Sequence, residues 1–323
     1  MAYATARRLN DGSIPVVDIT PLRDGSDPQG VAAALHAASQ GLGFIYVKGH
    51  GISEAILENA RQAALTFFRS PLHEKEQVAI SRAHRGWLGL GGAKMQDDAR
   101  SDLKESFVWG FEAAPGHSLD DHPFRGLNQW PVHQPQFSEH AMGWYLAAHE
   151  VAHHLMRGFA LGLGLADDFF LRSADKPLSR ASSVYYPAQE ESLGMEQFGV
   201  GPHTDFGVLT VLCQDNTGGL QVQNINGEWL EATPVEGTLI VNVADLLSRW
   251  TGGAYKSTPH RVVNSSGRER LSLVLAFDPN PDTVIDARDV HGEGYESPHE
   301  PISCGDYLLW RFDKAFNYRH EDN

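Results

Sequence analysis

An α+β architecture, a β-sandwich or barrel braced by helices, is what this sequence predicts. Helical patterning dominates up to about residue 175, and β patterning takes over after Ser179. Turn signals such as NTGG, NING and NSSGR then separate the later runs. With 323 residues and 41% hydrophobic content, the chain is long and apolar enough for a sizeable core.

The elements follow in order. IPVVD at 14–18 and FIYV at 44–47 read as short buried strands flanking a helix. That helix starts at Asp27-Pro28, an N-cap with proline at the first helical position, and runs to the glycines at 41 and 43. A second helix starts at Ser53, with Ile56, Leu57, Ala60, Ala64, Phe67 and Phe68 at helical spacing, and Ser70-Pro71 opens a short third. Residues 83–132 are mixed in polarity and read as irregular, including a glycine-rich GWLGLGG at 86–92 expected to be a flexible loop. A long helix is expected from about Gln134 to Leu165. The later strands are SSVYYP, GVLTVLCQ, LQVQ, TLIVNVADLL, HRVVN and RLSLVLAF.

Bulk properties narrow the function. The formal charge of −15 works against phosphate backbones and anionic lipid surfaces, and no Lys/Arg cluster counters it, so neither nucleic acid nor membrane is an expected partner. The first residues, MAYATARRLN, lack an apolar signal region, and no window of membrane-spanning length is apolar, so a cytoplasmic protein is expected. Cys213 and Cys304 are too few for a disulfide framework or a thiolate metal site, so any metal must be held by nitrogen and oxygen. Nothing in the sequence indicates an oligomeric state.

Two histidine motifs compete for a metal. HEVAHH, His149 to His154, begins with the zinc-protease pattern of two histidines one helical turn apart around a glutamate. In that helix Phe137, Ala141, Trp144, Ala148, Val151, Leu155 and Phe159 form the apolar stripe, which places His149 and His153 toward the polar, solvated side. Met156 and Phe159 stand where an extended zinc motif needs glycine and a third histidine. An acidic ligand further on, Asp167 or Glu190, stays open. A zinc hydrolase built on HEVAHH, with Glu150 as its base, is therefore the weaker reading.

The second motif is His203-Thr204-Asp205. On a strand covering 203–212, alternation would project His203 and Asp205 to one face. His260, opening the later HRVVN run, supplies a third ligand. Two histidines and one carboxylate form the facial triad that holds Fe(II) and leaves positions open for a bidentate cosubstrate and O2, although catalytic zinc can use the same donors. In RLSLVLAF, Arg270 and Ser272 share one strand face while Leu271, Leu273 and Leu275 share the other. Arginine suits a bidentate grip on a carboxylate.

HTD, the distal His260 and R-L-S resemble the iron and 2-oxoglutarate motifs of the isopenicillin N synthase-like branch of Fe(II)/2-oxoglutarate-dependent dioxygenases. The likeness spans most of the chain: IPVVDI and GFIYVKGHGI, then KESF, LNQWP and YYP, occur in the family's order. The resemblance implies a double-stranded β-helix, or jelly roll, braced by N-terminal helices. It implies iron on His203, Asp205 and His260, and 2-oxoglutarate on Arg270 and Ser272 with Tyr186 as third contact. It also implies one compact catalytic unit over 1–323: a mainly helical region with early core strands at 1–175, the jelly roll at 176–282, and a C-terminal extension at 283–323. The sequence departs from the family at Val184, where asparagine is frequent, and at Ala244, where glycine is common. The implied chemistry couples decarboxylation of 2-oxoglutarate, giving succinate and CO2, to oxidation by O2 of a C–H bond in a small organic molecule, hydroxylation being the default. Substrate contacts are expected from Phe107, Trp109, Phe206 and Phe277, with Trp87 on a lid-like loop. The competing classes are an iron oxidase of the same fold that needs no 2-oxoglutarate, the zinc hydrolase, and a non-catalytic jelly-roll binding module.

Overall fold

The computed structural model describes residues 14–92, 102–112, 122–188, 198–264 and 266–316. Strand β1 (Val16–Asp18) and helix α1 (Thr20–Arg23) lead into α2 (Pro28–Gly41), whose N-cap Asp27 accepts a hydrogen bond from the Gly30 amide. Then come β2 (Phe44–Lys48), α3 (Glu54–Phe68), capped by the Ser53 hydroxyl on the Ile56 amide, and the short α4 (Leu72–Glu76). These elements match the sequence pattern because their caps and apolar spacing are local signals.

Residues 83–132 are not irregular throughout. They contain β3 (Gly86–Leu88) and β4 (Glu105–Gly110). All six residues of β4 are buried, so it shows no alternation to reveal it. Glu105 is tolerated there because Lys75 Nζ and Trp87 Nε1 each donate to its Oε2 at 2.7 Å, which satisfies a carboxylate that burial would otherwise make costly. The long helix is α5 (Phe137–Gly162), a little shorter at both ends than expected.

Past Ser179 the chain forms β5 (Arg180–Tyr186), β6 (Val200–His203), β7 (Leu209–Gln214), β8 (Leu220–Gln223), β9 (Trp229–Glu231) and β10 (Thr238–Val243). After α6 (Asp245–Trp250) come β11 (His260–Val262) and β12 (Arg270–Phe277). The C-terminal part folds as β13 (Val284–Ile285), α7 (Arg288–His291), β14 (Ile302–Ser303) and α8 (Cys304–Ala315). The expectation of one strand over 203–212 is corrected: β6 ends at His203, a turn follows, and β7 starts at Leu209.

An eight-stranded sheet in the order β1-β2-β10-β7-β12-β5-β4-β3 faces a four-stranded sheet in the order β6-β11-β8-β9. The result is a two-sheet jelly roll within an α+β fold. One face of the large sheet carries Leu271, Leu273, Leu275, Phe107 and Trp109 into the main core with α2, α3 and α5. Its other face, with Val108, Ser182, Val184, Arg270 and Ser272, borders a cavity of about 210 Å³ between the sheets. Each strand thus serves the core with one set of alternate residues and the site with the other.

The candidate iron and 2-oxoglutarate site

His203 and His260 stand opposite each other where β6 pairs with β11, so both rings leave the same face of the small sheet. Asp205, in the turn after β6, completes the group. Its Oδ1 lies 3.8 Å from His203 Nε2 and 3.6 Å from His260 Nε2, and one donor atom from each of the three residues lies within 4.8 Å of the others. Among the described residues, no other cluster of three or more His, Cys, Asp or Glu side chains converges this way.

Hydrogen bonds around the group direct its donors. His203 Nδ1 is 2.8 Å from the Gly201 carbonyl, and His260 Nδ1 is 3.2 Å from that of Thr258. A carbonyl only accepts, so each Nδ1 carries the proton and each Nε2 lone pair faces Asp205. On the carboxylate, Thr210 Oγ1 and Asn242 Nδ2 both donate to Oδ2, at 2.6 and 2.8 Å, which leaves Oδ1 toward the imidazoles. Burial, the nearby His260 and the Lys104 charge overcome the pull of Asp205 and lower the His203 imidazole to about 3. Burial alone would raise the Asp205 carboxyl, but His260, His203 and the Asn242 and Thr210 hydrogen bonds outweigh it and hold it at about 2. A neutral His203 imidazole and an ionised Asp205 carboxylate are protonation states a divalent metal requires. This donor set fits Fe(II).

Arg270 lies across the cavity on β12, 1% exposed. Its Nε donates to the Gly218 carbonyl at 2.7 Å, while Nη1 and Nη2 are buried with no partner among the described residues. The adjacent turn allows this: Gly219 has φ +87°, and a Cβ there would collide with the Val263 carbonyl, so glycine lets the strand connection close over the guanidinium. The Ser272 hydroxyl, two residues along the same face, is likewise buried and unpartnered. Tyr186 pairs directly with Arg270, and its ring lies 4.8 Å beneath the guanidinium. Burial pushes the Tyr186 hydroxyl up to about 12, so it stays protonated. A buried guanidinium with two unused nitrogens costs several kcal/mol, which a carboxylate ligand offsets. Val184, opposite Ser272, lines the same wall without a polar group.

The expected substrate contacts divide. Phe206 lines the cavity. Phe107, Trp109 and Phe277 do not: they point to the opposite face of the sheet and fill the helix-side core. Trp87 is no lid residue, because β3 places it on that same outer side, bonded to Glu105. Three of these corrections, Trp87, Phe107 and Trp109, share a cause, the twofold alternation of strands that the sequence had not revealed as strands. Phe277 instead lies on the recognised strand RLSLVLAF and falls on its core face in phase with Leu271, Leu273 and Leu275. The cavity instead takes in residues that sequence reasoning passed over: Lys104, Arg180, Asn242, His84, and Phe312 and Phe316 at the end of the chain. Alternation from Phe107 could have pointed to Lys104 and Val108, whereas nothing local marks Phe312.

HEVAHH takes a different place from the one expected. His149 and His153 are half-buried rather than solvated. Their rings lie 4.6 Å apart and 5.2 and 5.6 Å from Phe277, and both Nε2 atoms are buried without a hydrogen-bond partner among the described residues. Tyr145, Ala152, Met156 and Ala160 are also buried, so the covered arc of α5 is about twice as wide as its apolar stripe. The helix packs against the large sheet on one side and against α2 and α3 on the other. Of the proposed third ligands, Asp167 is paired with Arg157 at 2.9 Å, and Glu190 lies outside the described residues.

A jelly roll that brings two histidines and a carboxylate opposite a buried, unsaturated arginine is the working arrangement of a non-haem iron oxygenase using a 2-oxo acid. Comparison with known proteins agrees. Residues 14–133 match the model for the non-haem dioxygenase in morphine synthesis N-terminal region, and residues 179–279 match that of the 2OG-Fe(II) oxygenase superfamily. A probable iron/ascorbate oxidoreductase from Dictyostelium discoideum is 32% identical, covering 94% of both chains. A homoarginine-6-hydroxylase from Glycine max is 33% identical over 86% of this chain and 89% of its own. Among solved structures, a full-length Neurospora crassa protein in complex with alpha-KG and thymine superposes with a TM-score of 0.84 at 29% identity, covering 95% of this chain and 98% of that one. The chain belongs to the Fe(II)/2-oxoglutarate-dependent oxygenases. It is an enzyme that uses iron, 2-oxoglutarate and O2. Among the described residues, no helix is long and apolar enough to cross a membrane.

Proposed function

We propose that His203, Asp205 and His260 hold the iron, that Arg270, Ser272 and Tyr186 hold the distal carboxylate of 2-oxoglutarate, and that the reaction hydroxylates a C–H bond of a small organic molecule. The observation that carries this reading is the pairing of a donor triad, its lone pairs turned inward by hydrogen bonds, with a guanidinium whose two terminal nitrogens have no hydrogen-bond partner among the described residues.

Iron, when bound, supplies O2 activation coupled to decarboxylation of 2-oxoglutarate to succinate and CO2. The chain's own residues do the rest. Asn242 and Thr210 fix the Asp205 carboxylate, so Oδ1 alone is offered to the metal. Arg270 and Ser272 set the reach of the cosubstrate from the wall, with Tyr186 as a hydroxyl donor beneath. Phe44, 5.3 Å from the His260 ring, and Leu212 and Val262 keep water from that side.

The chain works as one catalytic unit in this reading, because 1–175 supplies His84, Lys104 and Val108 to the cavity, 176–282 the ligands, and 283–323 Phe312 and Phe316. A reducing, cytoplasmic setting is supported by Cys213 and Cys304, both buried and unpaired.

The test uses no substrate. Fe(II) followed by 2-oxoglutarate, added to purified apoprotein under argon, is expected to give the weak visible charge-transfer band of a chelated keto acid. In Arg270→Ala the 2-oxoglutarate concentration needed for half the band is expected to rise about 100-fold, the loss of one charge-assisted bidentate contact of about 2–3 kcal/mol. Iron binding without a band in the wild type would give the 2-oxoglutarate-independent oxidase first place.

A further inference from the structure

The cavity wall carries a second arginine, Arg180, that the iron and 2-oxoglutarate reading does not use. On the β5–β12 ladder, Arg270 pairs with Tyr186 while Ala276 pairs with Arg180. Six residues of strand at about 3.4 Å each separate the two arginines by about 20 Å along the wall. Both side chains line the cavity, and His203 and His260 face the wall from the other sheet, with Asp205 in the turn that follows β6.

Arg180 is held from behind. Its Nη1 donates to Asp278 Oδ2 at 2.8 Å, and Asp278, fully buried, also accepts from the Val208 amide through Oδ1 at 3.0 Å. Gly207 permits this approach, since a Cβ there would collide with the carboxylate. Among the described residues, Arg180 makes no other hydrogen bond, so Nε and Nη2 remain for a ligand. A brace alone needs neither those nitrogens nor a place in the cavity wall.

The surroundings define what would bind. The guanidinium lies 4.6 Å from the Phe312 ring, and Phe312 in turn packs with Phe206 at 5.7 Å and Phe316 at 5.1 Å. Among the described lining residues the only carboxylate is Asp205, which this reading gives to the metal. Asp278 sits behind the arginine and is not part of the wall. This end therefore offers a guanidinium whose charge is balanced from behind by Asp278 but whose Nε and Nη2 still point donors beside aromatic faces. With no second carboxylate among the described lining residues at that end, the setting suits a carboxylate on an apolar body.

We propose that the prime substrate is a small organic acid, its anionic group gripped by Arg180 and its apolar body lying among Phe206, Phe312 and Phe316. The proposal rests on the reading of Arg270 as the 2-oxoglutarate anchor, which leaves Arg180 for the second ligand.

The test uses enzyme loaded with Fe(II) and 2-oxoglutarate under argon, titrated with 3-phenylpropanoate, 4-phenylbutanoate and hexanoate, each against its primary amide. Binding is followed by calorimetry while the visible band reports whether 2-oxoglutarate stays in place. At least one acid is expected to bind about tenfold or more tighter than its amide, with the band retained. Because Arg180→Gln alone would strand a buried carboxylate, the variant is Arg180→Gln/Asp278→Asn, which keeps the pair neutral; a thermal melt confirms folding. In it the acid-to-amide ratio is expected to fall near one with the band unchanged, and Arg180→Lys is expected to keep part of the preference. Equal binding of acid and amide, no saturable binding of any acid, or a preference that survives the double variant would overturn the proposal. Absence of the band in wild-type enzyme would sink the 2-oxoglutarate reading itself, and this one with it.

Discussion

Two histidine clusters in this chain differ in what their nitrogens meet. On α5, His149 and His153 stand one turn apart, yet their rings pack against Phe277 and their buried Nε2 atoms have no hydrogen-bond partner among the described residues. Across the molecule, His203 and His260 come from strands far apart in sequence, each fixed by a backbone carbonyl at Nδ1, with the bare oxygen of Asp205 between them. Spacing within a helix supplies proximity. What makes a metal site is a third donor and a set of outer hydrogen bonds that decide which lone pairs are free.

The sharpest way to break this comparison is to remove one histidine from each cluster. His203→Ala is expected to lower 2-oxoglutarate turnover by about three orders of magnitude, each tenfold corresponding to about 1.4 kcal/mol of barrier, and to abolish tight Fe(II) binding. His153→Ala is expected to leave iron stoichiometry unchanged. Iron analysis of the two proteins decides, and loss of metal from His153→Ala would return HEVAHH to consideration.

A smaller effect sharpens the role of the outer hydrogen bonds. Asn242→Ala frees Asp205 Oδ2 from one of its two donors and is expected to weaken Fe(II) affinity about 10- to 100-fold with the fold intact. Competition with a calibrated chelator measures it; an unchanged affinity would mean that Thr210 alone fixes the carboxylate.

A third effect concerns stability. Burial first, and then its neighbour His153, lower the His149 imidazole from 6.5 to about 4. Between those two pH values the unfolded chain binds more protons than the folded one, so stability falls as pH drops from 6.5 toward 4. In metal-free protein, His149→Gln is expected to flatten this acid limb by about 2–3 kcal/mol. Denaturant midpoints at several pH values test it, and parallel curves would show that the imidazole is free to protonate in the folded state.

Much of this was legible from the residues. Asp27-Pro28 and Ser53 marked their helices because capping is a contact between neighbours in sequence. Arg270 and Ser272 could be placed on one face because strand alternation is local, and the ordered motifs from IPVVDI to R-L-S identified the family. The failures were failures of sidedness. ESFVWG is buried on both faces, so its pattern hid a strand, and with it the fact that Phe107 and Trp109 belong to the core. The HEVAHH histidines were misplaced because a helix packed on two sides has a second buried face that a single apolar stripe does not show.

By itself the sequence determined the fold class, the ligand types and the cosubstrate motif, since these depend on residue identity and short-range period. Only the tertiary structure decided that His203 meets His260 across a strand pair, that Asn242 and Thr210 hold Asp205, and that Arg180 and Phe312 close the far end of the cavity. Those contacts join residues distant along the chain, and they exist because two sheets pack face to face around a shared interior. No local pattern encodes a meeting that sheet packing creates.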